Sequence, residues 1–214
     1  MPQHVFGKIP PWSAAVPAHQ HLNPDGTLGG WVADTAHISA TATISPDSTV
    51  YGYAHIYDHV QVLDHSEVYG NAIVANNAII ENHSQIGGKS HISEAAHING
   101  SSVTGHSEVS GDAQIYGGSY LGGWCRISEN ARLDGADIIG HNIVDGNALV
   151  QGHLTDKACV SGHAIIRRTV YLYGDVVVGG NATIAGFTKL AKGLYLENYG
   201  TTQNLAELDE MIGI

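Results

Sequence analysis

The chain has 214 residues, 27 of them glycine against two methionines and two phenylalanines, and the remainder, rich in Val, Ile, Ala, Ser and Thr, favours strands and turns over helices. Twenty acidic residues against nine basic ones give a formal charge of −11, which repels phosphate backbones and anionic lipid surfaces and argues against nucleic acid and membrane as partners. There is no run of about eighteen apolar residues, the opening MPQHVFGKIPPW lacks the charged-then-apolar order of a secretory leader, and two cysteines make no disulfide framework, so a cytoplasmic protein with reduced thiols is expected.

In chain order, residues 1–30 come first, with Pro10-Pro11 and a turn at Asn23-Pro24-Asp25-Gly26; they read as an irregular N-terminal cap, with Trp31 sealing the rim of the first repeat. From Val32 an aliphatic residue then recurs every sixth position, through Ile38, Ile44, Val50, Ile56, Val62, Val68, Val74, Ile80, Ile86 and Ile92 to Ile98. A five-residue step leads to Val103, Val109, Ile115, Leu121, Ile127 and Leu133, and a second to Ile138, Val144 and Val150. After an irregular stretch the period resumes at Leu154, Val160, Ile166, Leu172, Val178, Ile184, Leu190 and Leu196.

Two positions before each aliphatic residue the side chain is usually small, as at Ala42, Ser48, Ala54, Ser66 and Ala72, and strand alternation turns both to the same side. Two to three positions after it come Gly, Asn, Asp or His, as in Gly70-Asn71, Asn82-His83 and Gly162-His163, the residues that tolerate positive φ. Each six-residue unit is therefore a short strand and a tight corner, and three units close one triangular coil. Parallel stacking at about 4.8 Å per coil predicts an all-β fold, a single-stranded parallel β-helix of about ten triangular coils and about 45 Å over residues 31–198. Asn204 with Glu207 reads as a capping box, so a short C-terminal helix over 199–214 should close the last coil.

These repeats resemble the hexapeptide-repeat superfamily, which includes acyltransferases and γ-class carbonic anhydrases, and the resemblance implies that the β-helix is left-handed. Gly29-Gly30-Trp31-Val32 and Val68-Tyr69-Gly70-Asn71-Ala72-Ile73-Val74 are similar, more narrowly, to the YdcK-like proteins of bacteria and of phages and prophages. Such proteins are often labelled transferases on fold alone, and fold does not fix function.

The 14 histidines invite metal or acid-base chemistry. His59, His65, His83, His106, His141, His153 and His163 fall at corners, where backbone tolerance accounts for them. His37, His55, His91 and His97 each precede an inward aliphatic and must point outward. An eighteen-residue coil stacks His37 on His55, with His91 two coils beyond and Ile73 between, so His37, His55 and His91 are the metal candidates. No H-x-x-x-x-H pair is present, a departure from what the carbonic anhydrase resemblance implies. An acyltransferase of this family needs a catalytic histidine, usually on an extruded loop; the largest irregularity, Gly152 to Lys157, makes His153 the catalytic candidate, with coenzyme A as the cofactor in that case and no cofactor otherwise.

Nucleophile elbows, P-loops and dinucleotide fingerprints are absent from the sequence. Ile139, Ile143, Leu149, Ile165, Tyr171, Tyr173, Val177 and Tyr195 take outward or corner-flanking slots in the C-terminal half, which points to an association surface. By the resemblance the assembly is a parallel homotrimer. Seven of the nine cations follow residue 120, and Arg126, Arg132, Arg167 and Arg168 are candidates to hold a small anionic ligand at subunit clefts. The leading expectation is a non-catalytic assembly or binding protein, phage- or prophage-like. The alternatives are an acyl-coenzyme A-dependent acyltransferase and a zinc-dependent hydrase.

Overall fold

Strand after strand falls in turn on three faces of a prism. The computed structural model describes residues 4–6, 16–186, 188–191, 193–197 and 201–202. The first face carries Leu28–Ala33, Thr49–Val50 and Glu67–Val68 and their successors; the second begins with His37–Ile38 and His55–Ile56; the third begins with Thr43–Ile44 and Gln61–Val62. Coil-to-coil pairs are parallel, and the register joins residues one coil apart, as in Trp31↔Thr49, His37↔His55 and Thr43↔Gln61. The second and third faces have ten strands each and the first has twelve, two of them N-terminal additions. The fold is an all-β parallel β-solenoid of about nine turns, consistent with a left-handed β-helix. Among the described residues there is no helix, and none long and apolar enough to cross a membrane. The capping helix expected over 199–214 lies outside the described residues.

The periodic aliphatics form one continuous core: Ile44, Ile56, Ile80, Ile98, Ile115, Ile127 and Leu154 are all fully buried. Each such side chain contributes roughly 1.5–3 kcal/mol by leaving water. Ile38, on the first coil, is only partly buried because no coil precedes it on its face.

The small inward residue differs by corner, and hydrogen bonding explains the difference. Where the third face turns into the first, it is serine: Ser48, Ser66, Ser84, Ser101 and Ser119, all buried. The amide of each serine donates to the hydroxyl of the serine one coil earlier, Ser66 to Ser48 at 3.2 Å, Ser84 to Ser66 at 3.2 Å, Ser101 to Ser84 at 3.3 Å and Ser119 to Ser101 at 3.1 Å. The Ala136 amide ends the chain on Ser119 Oγ at 3.0 Å. A buried N–H without an acceptor would be costly. The serine row supplies the acceptor for the Ser84, Ser101 and Ala136 amides, whereas those of Ser66 and Ser119 also reach the carbonyls of Leu63 at 3.1 Å and Tyr116 at 3.3 Å.

Corners from the first face to the second stack glycine on glycine. At Gly105, φ is +77° and a Cβ would lie 2.5 Å from the carbonyl oxygen of Gly123 in the next coil, so both conformation and space demand glycine. His65 and His83 sit at corners with positive φ, as the sequence predicts, and their rings stack at 5.0 Å.

Two parts of the chain differ from expectation. Within the segment read as an irregular cap, Val16–Leu22 forms an antiparallel hairpin with Leu28–Ala33 around the predicted turn, and His4–Phe6 pairs with Val16–Leu22. The hairpin covers the open edge of the solenoid. The Asn23 carboxamide accepts the Ile44 amide at 2.9 Å and donates to the Ile44 carbonyl at 3.2 Å, standing in for a missing strand of the third face.

The second difference is at Gly152–Lys157, which holds no extruded loop. His153–Asp156 is a strand in register with Asp137–Gly140, and the pair Asp137↔His153 makes this coil two residues shorter than the next and one shorter than the one before. A Cβ on Gly152 would meet the carbonyl oxygens of Val170 at 2.5 Å and Arg167 at 2.8 Å. The chain turns tightly here because glycine lets it, and His153 belongs to the outward-facing strand residues and not to the corner group.

Candidate functional site

Every outward side chain sits on one of two rows per face, immediately before or after the inward aliphatic, so chemistry arises where rows of successive coils place compatible groups side by side. On the first face the row runs Asp137, His153, Tyr171, Lys189. His153 Nδ1 lies 3.6 Å from Asp137 Oδ2. Its ring stacks on Tyr171 at 4.4 Å, and Lys189 Nζ is 5.9 Å from the Tyr171 ring centre. The result is a partly exposed carboxylate–imidazole pair backed by an aromatic ring.

On the second face His37 and His55 are adjacent, ring centres 5.9 Å apart and tilted by 43°. Tyr57 joins them, its hydroxyl 3.1 Å from His55 Nδ1. Ile73 pairs with both His55 and His91 and so separates them. His91 does not converge with His37 and His55, and among the described residues no group of three His, Cys, Asp or Glu side chains could hold a metal ion.

The four arginines do not converge either. Arg126 stands on the second face between Glu108 and Ile143. Arg167 and Arg168 are occupied at the edge of the third face: Gln151 donates to Asp134 at 2.7 Å, Arg167 donates to Gln151 at 3.3 Å, and Arg168 reaches Asp134 at 3.5 Å. Arg132 differs from these. It lines a cavity of about 380 Å³ on the third face with Asn130, Asn147, Leu149, His163 and Ile165. Asn147 Nδ2 is 3.2 Å from His163 Nε2 across it.

The interface candidates are spread over the whole prism. Ile139, Tyr171 and Tyr173 are on the first face, Ile143, Val177 and Tyr195 on the second, and Leu149 and Ile165 on the third, where they floor the Arg132 cavity. Ile139 and Ile143 flank one corner, and that corner holds a feature the residue pattern did not single out. Trp124 stacks on His106 at 4.0 Å and on His141 at 6.2 Å, the three rings within 7° of parallel. Trp124 is 56% exposed, with Tyr120, Ile139 and Ile143 exposed beside it. Counting coil lengths from His106 would have found it, since the stack joins equivalent corner positions.

The sequence reading also passed over Glu81 and Asn99. Glu81 Oε1 accepts from His97 Nε2 at 2.8 Å and from Asn99 Nδ2 at 2.7 Å. The signal lay in the rows: Glu81 and Asn99 both follow an inward isoleucine one coil apart, and His97 precedes the second of them.

Burial raises the Cys125 thiol, which fills an inward slot beside Asn142, and burial with the nearby Asp145 carboxylate raises the Cys159 thiol. Both cysteines are free. Burial and Glu129 raise Asp145 itself, against the opposing charge of Arg126. Tyr51 stacks on Tyr69 at 5.4 Å, as the coil length predicts, and burial beside Glu67 pushes its phenol up.

No protein-family model and no curated protein matches the chain. Among solved structures it is similar to a UDP-N-acetylglucosamine acyltransferase from Campylobacter jejuni, with a TM-score of 0.35 and 13% identity over 81% of this chain and 68% of that one.

Proposed function

We propose that this is a non-catalytic β-helical assembly and binding protein, phage- or prophage-like, whose copies associate side by side as a parallel homotrimer through their C-terminal halves. The observation that carries this reading is the apolar cluster of Tyr120, Trp124, Ile139 and Ile143, exposed on two adjacent coils at one corner. A rod that stands alone keeps its faces polar, and a contiguous apolar cluster rimmed by polar residues marks a contact surface. Parallel packing brings the same coil of each copy to the same height, so the cluster meets itself around an axis along the rod. Arg132, with its apolar floor of Leu149 and Ile165, is the arginine suited to a small anion. Sedimentation velocity tests the assembly: the wild type should run at three times the protomer mass, and Trp124→Ser combined with Ile139→Ser should run as a monomer. A monomeric wild type at micromolar concentration ends the reading.

A second reading, an acyltransferase using coenzyme A, rests on the Asp137–His153 pair, since a carboxylate beside an imidazole orients it as a general base. Calorimetry with acetyl-coenzyme A tests it. Binding that His153→Ala leaves without turnover would favour it, and no heat at millimolar ligand would remove it.

A further inference from the structure

On the third face, the turn toward the first face changes length from coil to coil. The pairs Glu67↔Gln85 and Ser102↔Tyr120 span eighteen residues, but Gln85↔Ser102 spans seventeen, so the chain turns one residue early at Asn99–Gly100. A short corner between two full ones leaves a recess of about 400 Å³ lined by His97, Asn99, Gln114, Ile115, Tyr116 and Gly117, within the range of about 300–1,000 Å³ for small-molecule sites. Gly117 at its rim must be glycine, since φ is +69° and a Cβ would lie 2.4 Å from Asp134 Oδ1 in the next coil.

The polar groups around the recess are already oriented. Glu81 Oε1 takes hydrogen bonds from both His97 Nε2 and Asn99 Nδ2, which orients the imidazole and the carboxamide and leaves Asn99 Oδ1 and, in the neutral imidazole, His97 Nδ1 as acceptors. The Gln114 amide and the Tyr116 hydroxyl have no side-chain partner among the described residues. Neither lysine nor arginine lines the recess, and the Glu81 carboxylate behind it repels anions. A ligand that fits this set is neutral and rich in hydroxyls, each able to donate to the acceptors and accept from Gln114, with an apolar C–H face to lie against the Tyr116 ring.

We infer that the recess lined by His97, Asn99, Gln114 and Tyr116, with Glu81 behind it, binds a neutral hexose unit, either as a free sugar or at the end of a glycan. The site is independent of the association surface, because none of the apolar cluster lines it.

Saturation-transfer NMR on the full chain tests this with glucose, galactose and mannose, each as monosaccharide and as linear tetramer, and with glucuronate as the charged comparator. The expected result is transfer to at least one neutral sugar, weakened roughly tenfold or more by Glu81→Gln and by Gln114→Ala and unchanged by Lys89→Ala, an exposed residue on the corner between the first and second faces, with circular dichroism unaltered. A stronger response from the tetramer identifies a glycan site and an equal response a free-sugar site, and both support the inference. If Glu81→Gln loses the fold, Tyr116→Phe, which removes a single hydroxyl, serves in its place. No transfer from the folded protein, a response that these variants leave intact, or glucuronate binding as well as glucose overturns it.

Discussion

Replacing Ser66 with alanine tests the serine row most directly. Ser66 Oγ is the acceptor for the Ser84 amide at 3.2 Å, and both residues are fully buried. Ser66→Ala removes no apolar contact, since alanine is a common residue in the equivalent slots of the other corners, as at Ala54 and Ala72. Its cost is therefore that of a buried N–H left without an acceptor, about 1–3 kcal/mol. Ser107→Ala is the control. The Ser107 hydroxyl donates to the Thr104 carbonyl at 2.9 Å, so its loss should cost about 0.5–1.5 kcal/mol, the net worth of an ordinary hydrogen bond. Urea unfolding at constant slope measures both. Because each coil touches only its neighbours, amide exchange in Ser66→Ala should rise around Ser84 and not at the far end of the rod. A Ser66→Ala protein as stable as wild type, or a Ser107→Ala protein damaged as much, would refute the ladder as the reason serine occupies this row.

Three other outcomes come from the same geometry. Gly105→Ala should fold poorly, because a Cβ meets backbone at 2.5 Å, whereas Gly118→Ala, at φ +76° with open space around it, should cost only the roughly 1–2 kcal/mol of left-handed backbone; thermal melts of the pair compare them. Asn23→Ala should expose the Ile44 edge and destabilise by about 1–3 kcal/mol, with added light scattering as unpaired edges meet. Asp145 is held above its ordinary value by burial and Glu129, so its ionised form opposes folding at neutral pH. Asp145→Asn should raise Tm at pH 7, and the gain should shrink as pH falls through the raised value, where wild-type Asp145 takes up its proton; a gain that persists in acid contradicts this.

How much of the fold and of its sites was legible in the sequence depends on what sets each feature. The inward aliphatics are fixed by periodicity, and once the coil length is known the stacking of His37 on His55 and of Tyr51 on Tyr69 is found by counting. Counting fails where coils lose residues. The two-residue deficit before His153 shifted it from corner to strand, and the deficit at Asn99 created the recess beside His97. The N-terminal hairpin was hidden because Val16–Leu22 buries only two of its seven side chains, Ala18 and His21, too few for an alternating pattern to stand out.

The same arithmetic explains why the chemistry-bearing residues of this chain are scattered in sequence and gathered in rows. A solenoid without extruded loops has no single cleft into which distant segments fold, so a site must be assembled from side chains one coil apart on one face. Glu81, Asn99 and Tyr116 occupy one such row and His97 and Gln114 the other, on the same face. Asp137 and His153 are neighbours by the same rule on the first face, where their side chains are partly exposed. The first group, Glu81 aside, lines a recess beside the corner at Asn99–Gly100 that is one residue short, and the second lies beside a corner two residues short. Small deletions at corners, invisible to composition and to motif, thus adjoin both groups, and the coils that lack residues are where function on this fold should be sought.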